Sequence, residues 1–527
     1  MAFIDFFPYF SCWTVHHQVD WLLGSKLCDY HPNFSPRVHL CSHHGSIQCA
    51  VSRDFCVGTD LAKAICSNCQ NSTRTYFSDF HQALSLVSDS NTDLQKISLD
   101  ELKDISNRCI ASPIIKECLN NLFKDIDQLS ELTSLTHFRI SRLDLEKSDG
   151  DIKNTFAKTI AVEAINIAYN WSLDLPSSVV LFNGRLSPYI APYYLAKKLN
   201  IPIYIHERGV FKEYSLYFNE YPSTGLCAQS VSNRLSSSAI SFSNVSDQQL
   251  IEVLNNRLSE LHVPNNYPNL FSSDKASSTD NAKTPHHDIL YIVSSEDEAD
   301  SLPEANLSLA QRSAIRKLIE LADLYPELSF AIKSHPNIYG AKGYPGMSLS
   351  AKHMDGIERE CALKENIVVY GRESSVNPFS LVKNADLLIG LHSSLLEFGW
   401  FHGKYIVTHP TTETNAYANC IVDFNLIDSL KNMIDQFLCA RSSRCRNTYL
   451  DVNTFKYVIV KCGSFDVSFG TEVSIDSSHF SPLNSIDYLK SLSQDVDYKD
   501  LQLVLDSIVN GTDINLELFS ERFCNVN

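Results

Sequence analysis

The chain has 527 residues, more than one ordinary hydrophobic core holds, so two large domains with additions are expected. With 44% hydrophobic and 20% charged residues it has the composition of a globular protein and not of a disordered one. A formal net charge of −17 argues against nucleic acid as a partner, which needs a basic face, and against strong electrostatic docking on anionic lipid.

The opening Met1-Ala2-Phe3-Ile4-Asp5-Phe6-Phe7-Pro8 is apolar, lacks a basic flank and carries an early Asp. It reads as a first buried strand, Ile4 to Phe10, and not as a signal peptide. Apolar residues at Trp13, Val15, Val19, Leu22 and Leu23 predict a helix, and Val38 to Cys41 a second strand. Strand, helix, strand is the start of a parallel sheet. No apolar run of about 18 residues occurs, so no membrane-spanning helix is expected.

The 16 cysteines, in a chain expected to stay cytoplasmic, are read as reduced thiols or metal ligands. Cys41, Cys49, Cys56, Cys66 and Cys69 cluster beside His43 and His44. The Cys66-Ser67-Asn68-Cys69 gap suits one tetrahedral metal, which makes a structural zinc one reading of this insertion. Buried free thiols are the other. Ser98 to Leu135 is predicted helical, opened by the capping-box spacing Ser98-x-x-Glu101. Ile152 to Trp171 is a long helix with Ile160, Ala164, Ile167 and Ala168 on one side.

A βαβ unit follows: strand Val179 to Phe182, helix Ile190 to Leu199, strand Ile201 to Ile205. Polar clusters close both strands, Asn183-Gly184-Arg185 and His206-Glu207-Arg208-Gly209. In open α/β sheets ligands sit outside the carboxyl ends of strands, so Asn183, Arg185, Glu207 and Arg208 are candidates for a substrate cleft. Phe271 to His287 is poor in bulky apolar residues and is read as the linker between an N-terminal domain (1–270) and a C-terminal one (288–485). His286-His287 and His31-Pro32 are read as loop residues. The α/β pattern restarts with strand Ile289 to Val293, helix Ser308 to Leu324, and strands Leu328 to Ile332, Ile367 to Tyr370, Ala385 to Ile389 and Tyr405 to Val407. The tail reads as a hairpin from Phe455 to Val473 and helices within 486–527. The whole is an α/β chain of two Rossmann-like domains, an arrangement that implies a cleft between them.

Two segments of the second half suit phosphate. Lys333-Ser334-His335-Pro336-Asn337 follows a strand directly; Lys and protonated His give charge-assisted hydrogen bonds to phosphate, and Pro336 fixes the turn. His392-Ser393-Ser394 stands between a strand and a helix, where hydroxyls and free N–H groups bind an anion without metal. Ser393 also fits a plain N-cap. Glu397, one turn on, fits a sugar or ribose contact or a balance to the helix dipole.

The series strand, His-Pro, strand, Ser-Ser-x-x-Glu and Gly403-Lys404-x-hydrophobic resembles the C-terminal domain of GT-B glycosyltransferases. It is most similar to the capsule polysaccharide biosynthesis family, relatives of the bacterial Kdo- and sialyltransferases that use CMP-activated acidic sugars. The resemblance covers about residues 179 to 410. It implies that His335-Pro336 and Ser393-Ser394 hold the nucleotide phosphate. It matches Asn183-Gly184-Arg185 and Glu207-Arg208-Gly209 to the strand ends of the first domain, and places Asp297 and Glu298, within Ser294-Ser295-Glu296-Asp297-Glu298, at the substrate. Lys333 stands where the family carries Arg, which loses the bidentate fork.

What the resemblance implies is a metal-independent transferase that moves a sugar from a nucleotide-sugar donor to a surface-polysaccharide or glycolipid acceptor. Catalysis would need no cofactor. The placement would be cytoplasmic, compatible with peripheral association at the inner face of the membrane. An inverting reaction needs a base to deprotonate the acceptor hydroxyl. Glu207 is the first candidate, Asp20 beside His16 and His17 the second; an ion pair of Glu207 with Arg208 or Arg185 is the plain structural alternative. A nucleotide-sugar epimerase of the same fold and an inactive component of a polysaccharide assembly are the rival functions.

Overall fold

The computed structural model of the chain describes residues 1–9, 14–41, 67, 69–71, 73–87, 97–141, 150–182, 184, 187–208, 214–218, 252, 284–294, 307–335, 338, 349–371, 374, 376–442 and 498–513. They divide into two compact units.

The first unit is built on a six-stranded sheet. Its strands are β1 (Ala2–Phe6), β2 (Phe34–Val38), β3 (His81–Gln82), β4 (Ser178–Phe182), β5 (Ile203–Arg208) and β6 (Tyr214–Phe218), in the order β3-β2-β1-β4-β5-β6. All pairs are parallel except β5–β6. The helices are α1 (Thr14–Tyr30), α2 (Leu99–Cys109), α3 (Pro113–Ser141), α4 (Gly150–Leu173) and α5 (Ser187–Lys198). All five residues of β4 are buried, as a strand covered on both faces requires. One face packs on α4 and α5 through Ile160, Ala164, Ile167, Ala168, Leu195, Val179, Leu181 and Ile205. The predicted capping box opens α2: Ser98 Oγ accepts from the Glu101 N–H, and Glu101 accepts from the Ser98 N–H at 2.7 Å.

Polar side chains brace this unit from within. The buried Asp5 carboxylate accepts from Arg37 Nε and Nη2 at 2.8 and 2.9 Å, from Trp171 Nε1 at 2.7 Å, and meets His39 Nε2 at 2.7 Å. Burial works to raise its pKa, but His39 and Arg37 outweigh it and hold the carboxyl below its ordinary value. On α4, Asn166 and Asn170 grip the backbone of residues 84–87: each amide oxygen accepts from a main-chain N–H and each amide nitrogen donates to a main-chain carbonyl. The C-terminal helix α11 (Tyr498–Asn510) also belongs here. The Tyr204 hydroxyl lies 2.5 and 2.8 Å from the carbonyl oxygens of Ser507 and Thr512.

The second unit repeats the plan. Strands β7 (His287–Ile292), β8 (Phe330–Lys333), β9 (Ile367–Tyr370), β10 (Ala385–Gly390), β11 (Tyr405–Thr408) and β12 (Cys420–Ile421) pair in the order β12-β11-β10-β7-β8-β9, all parallel. The helices are α6 (Leu307–Leu324), α7 (Leu349–Cys361), α8 (Pro378–Lys383), α9 (Ser394–Phe401) and α10 (Ile427–Ser442). Numbered within the unit, the sheet order is 6-5-4-1-2-3, the doubly wound Rossmann order. The expected fold class, two Rossmann-like α/β units, is the one observed.

Several boundaries differ from expectation for local reasons. The helix after β1 runs on to Tyr30, through Gly24, where an added Cβ would stand 2.5 Å from the Phe80 ring; the glycine lets that ring pack on the helix. β2 comes four residues early and contains Pro36. β5 does not stop at Ile205. It continues through His206, Glu207 and Arg208, whose backbones pair antiparallel with Leu216, Ser215 and Tyr214 of β6, so these three residues lie inside a strand. His287 is no loop residue. It opens β7, buried, with Nδ1 2.9 Å from Ser329 Oγ and Nε2 2.8 Å from Tyr370 Oη. The expected linker core and the 455–473 hairpin lie outside the described residues. Among the described residues no helix is long and apolar enough to cross a membrane.

Candidate functional site

In a doubly wound sheet the crevice opens where two adjacent strands send their connections to opposite faces. In the second unit those strands are β7 and β10. Their carboxyl ends deliver Ser294 and the turn Leu391-His392-Ser393, which leads into α9.

The turn is fixed on both sides. From the β7 side the buried Ser294 hydroxyl donates to the His392 carbonyl and accepts from the His392 N–H at 3.2 Å. Gln311 of α6 locks Ser294 in turn: its Oε1 accepts from the Ser294 N–H at 2.7 Å and its Nε2 donates to the Ser294 carbonyl at 3.2 Å. From the β11 side two hydroxyls converge on the Leu391 carbonyl, Thr408 at 3.0 Å and Thr414 at 2.8 Å. Thr408 also shares a 2.8 Å bond with Thr412. Gly390 makes the close approach of the strands feasible, because a Cβ there would stand 2.8 Å from the Ile292 carbonyl.

On this base Ser393 caps α9. Its side chain accepts from the Leu395 N–H at 3.2 Å, and its backbone is extended as an N-cap requires. The first turn of any α-helix carries N–H groups without intrahelical partners and a partial positive charge. Here the N–H groups of Leu395, Leu396 and Glu397 are taken by the Ser393 hydroxyl and carbonyl, which leaves the Ser394 N–H at the start of the helix, with Glu397 buried one turn on. The turn that precedes the helix is therefore held from both sides before any ligand arrives.

Lys333 and Ser334 close β8, two strands from β10, or roughly 10 Å by ordinary strand spacing. Burial lowers the pKa of Lys333, and its Nζ donates to the Ser334 carbonyl at 2.9 Å. Ser334 is spent on structure: both its N–H and its hydroxyl donate to the Tyr370 carbonyl. His335 follows, half-buried, its carbonyl accepting from Ile338. Pro336 and Asn337 lie outside the described residues, as do Asp297 and Glu298. The fold thus gathers Lys333, His335, Ser393, Ser394 and Glu397 on one edge of one sheet.

In the first unit the equivalent crevice lies between β1 and β4. Gly184, with φ 77°, makes the turn after β4, a conformation that favours glycine; Asn183 and Arg185 beside it are outside the described residues. Glu207 and Arg208 are placed by backbone only, in β5. Asp20 is buried, its Oδ1 2.9 Å from Nε2 of the buried His206. Burial raises the Asp20 pKa against the opposing pull of His206.

The cysteine insertion is bounded on both sides. Gln70 Nε2 donates to the Cys41 carbonyl at 2.9 Å, which brings the end of the insertion back to its start. Cys49, Cys56 and Cys66 lie outside the described residues. Among the described residues no group of three or more His, Cys, Asp or Glu side chains is arranged to hold a metal.

Sequence reasoning did not single out Ser294 as a brace, nor Gln311, Thr408, Thr412, Thr414, His409 or His206. A signal existed for some of them. Ser294 follows directly on the first predicted strand of its unit, and Thr408-His409-Pro410-Thr411-Thr412 repeats the strand-then-His-Pro pattern of the 333–336 segment.

No family model matches the chain, and no curated protein matches it. Solved structures do. The UDP-GlcNAc 2-epimerase of Methanocaldococcus jannaschii, in complex with UDP-GlcNAc and UDP, is 15% identical over 61% of this chain and 85% of its own, with a TM-score of 0.33. That of Neisseria meningitidis, bound to UDP-GlcNAc, is 12% identical over 88% and 99%, with a TM-score of 0.31. The β-Kdo 2,4 transferase KpsC of Thermosulfurimonas dismutans is 12% identical over 44% and 69%, with a TM-score of 0.26. At such scores the likenesses decide nothing about activity. The fold assignment rests on the two sheets themselves.

Proposed function

We propose that the chain is a metal-independent glycosyltransferase of the GT-B type that takes a nucleotide sugar in its second unit and passes the sugar to a glycan or glycolipid acceptor of a surface polysaccharide. One observation carries this reading: the α9 N-terminus, pinned by Ser294, Thr408 and Thr414 at the β7–β10 crevice, with Lys333 and His335 on the same edge. On this reading that edge would receive a phosphate whose charge grows as the sugar leaves.

In the reaction the acceptor oxygen bonds to the anomeric carbon, the bond from that carbon to the phosphate oxygen breaks, and its electron pair leaves on the nucleotide. The Ser394 N–H at the start of α9, the Ser393 and Ser394 hydroxyls, Lys333 and His335 would receive that charge. If the reaction inverts the anomeric centre, Glu207 on β5 is the carboxylate we propose to take the acceptor proton; Asp20, buried against His206, is closed to an acceptor hydroxyl. Arg185, Asn183 and Arg208 would orient the acceptor on this reading, and Glu397 the donor. A CMP-activated acidic sugar is the donor the sequence resemblance favours, and the cytoplasm the compartment where such donors are met.

The test is a thermal-shift screen with CMP, UDP, GDP and ADP. Ligand at a hundred times its dissociation constant adds about 2.7 kcal/mol. His335→Ala removes a hydrogen bond to a charged group, about 1.5–3 kcal/mol, and should lower turnover about ten- to a hundred-fold with the fold intact. Near-wild-type transfer by that variant refutes the phosphate role of His335. Turnover of a nucleotide sugar without any acceptor identifies an epimerase instead, and no stabilisation by any nucleotide identifies an inactive assembly component.

A further inference from the structure

The loop after β11 carries a second histidine–proline pair in the sequence, His409-Pro410, on the opposite flank of the crevice from His335. Its surroundings are those of a ligand-reading group. Thr411 Oγ1 lies 2.9 Å from His409 Nδ1, and the Thr411 N–H points at the same nitrogen at 3.5 Å. A backbone N–H only donates, so Nδ1 is the acceptor and the ring proton is assigned to Nε2. Nε2 stands 3.9 Å from Asp423 Oδ1, too far for a hydrogen bond. Asp423 follows β12 and is held by its own turn, Oδ1 accepting from the Asn425 N–H at 2.8 Å. The imidazole rests edge-on against Phe424, ring centres 5.6 Å apart. Its side chain is 13% exposed and that of Asp423 is 44% exposed. A rigidly oriented N–H donor and a carboxylate acceptor thus face solvent side by side, with a gap that neither closes.

The position says what fills it. His409 ends the strand next to β10, and Asp423 follows the strand after that, one and two strand spacings from the α9 N-terminus, about 5 and 10 Å. Asp423 would repel a phosphate, so the pair suits the uncharged part of a molecule whose phosphate lies at α9. Burial lowers the His409 pKa more than Asp423 raises it, which keeps the ring a neutral donor near pH 7. A hydroxyl can accept from Nε2–H while its vicinal neighbour donates to the carboxylate. We propose that His409 and Asp423 bind the two ribose hydroxyls of the nucleotide. This inference rests on the nucleotide reading of the α9 site and adds to it the recognition of ribose.

Calorimetry with CMP, UDP, GDP and ADP, each against its own 2′,3′-dideoxy form, tests it. The wild-type protein should bind the ribo form about ten- to a hundred-fold more tightly, as a hydrogen bond to a charged group predicts. Asp423→Asn keeps the turn to Asn425, and His409→Phe keeps the ring on Phe424. Each should weaken the ribo form, bring the ratio toward one and leave the dideoxy affinity as it was. A wild-type ratio near one, or variants that preserve the wild-type ratio, overturns the assignment and leaves the α9 site standing. Failure of every nucleotide to bind the wild-type protein overturns the nucleotide reading itself, and the ribose assignment with it.

Discussion

His17 offers a test of the first unit that needs no substrate. It lies in the first turns of α1, 2% exposed, with its ring edge-on to Tyr76 and Phe77 at 5.5 and 4.9 Å. Neither ring nitrogen has a hydrogen-bond partner among the described residues. Burial alone lowers its pKa from 6.5 to about 3. The folded state therefore holds the ring neutral through a range where the unfolded chain protonates it. Stability from this group is fully present above about pH 6.5 and is lost as the pH falls toward 3, by about 1.4 kcal/mol per pH unit. From pH 7 to pH 4.5 the loss comes to about 2–3 kcal/mol.

His17→Phe keeps an aromatic ring among aromatic rings and removes both the titration and the two unsatisfied nitrogens. At pH 7 the variant should be at least as stable as the wild type, since an unsatisfied buried polar group costs about 1–3 kcal/mol. Other groups shape the acid limb of both proteins alike, so the difference between them isolates His17. Urea unfolding at a series of pH values, with equal slopes in denaturant, should show the variant's advantage growing by about 2–3 kcal/mol between pH 7 and 4.5. An advantage that stays constant with pH refutes the burial of a neutral imidazole at this position.

Other substitutions probe the braces. Asp5→Asn leaves Arg37 buried without its counter-charge and should cost about 3–5 kcal/mol in denaturant unfolding. Because the Asp5 pKa is lowered on folding, its contribution is present above about pH 4 and lost below it, so the deficit of the variant should shrink in acid. Gly390→Ala drives a Cβ to 2.8 Å from the Ile292 carbonyl, a backbone atom held in the β7–β10 ladder; a loss of about 1–3 kcal/mol and a weaker nucleotide-induced thermal shift are expected. Thr414→Val is isosteric and removes one of two hydroxyls on the Leu391 carbonyl, so it should cost only about 1 kcal/mol, measured by thermal melting, because Thr408 remains.

The elements readable in the sequence are those whose burial is repetitive. β4 and β7 are continuous apolar runs, and α4 carries its apolar face at helical spacing; both patterns come from burial of whole faces and need no knowledge of the partner. Ser98-x-x-Glu101 is readable because the cap is a local hydrogen bond. β6 and the extension of β5 were not, because a short antiparallel edge pair depends on a neighbour that sequence spacing does not reveal. The return of α11 to the first unit was not, because Tyr204 and Ser507 are 303 positions apart and joined by a side chain to a carbonyl. His287 was misread for a related reason: its partners, Ser329 and Tyr370, make a buried histidine affordable only after the sheet has formed.

The candidate site divides along the same line. Lys333, His335 and the Ser393-Ser394 pair stand out because strand ends followed by polar turns are visible one at a time. The residues that hold those turns are hidden, because each works across the sheet: Ser294 reaches a residue 98 positions away, Thr408 and Thr414 reach back 17 and 23. Their hydroxyls are bound to backbone and so have none to offer a ligand. What they contribute is a turn held on both sides, and on the proposed reading that is what would set the Ser393 cap apart from an ordinary one. A substitution in the braces should therefore weaken nucleotide binding by the folded protein as well as lower its stability. Ser294→Ala is the sharpest case: it strips both bonds from the His392 backbone while leaving Lys333, His335 and Ser393 in place. Its stability should fall by about 1–3 kcal/mol for each of the two buried backbone groups left without its partner. Its nucleotide affinity should fall at least ten-fold, and a variant whose affinity matches the wild type shows that the α9 turn is held without Ser294.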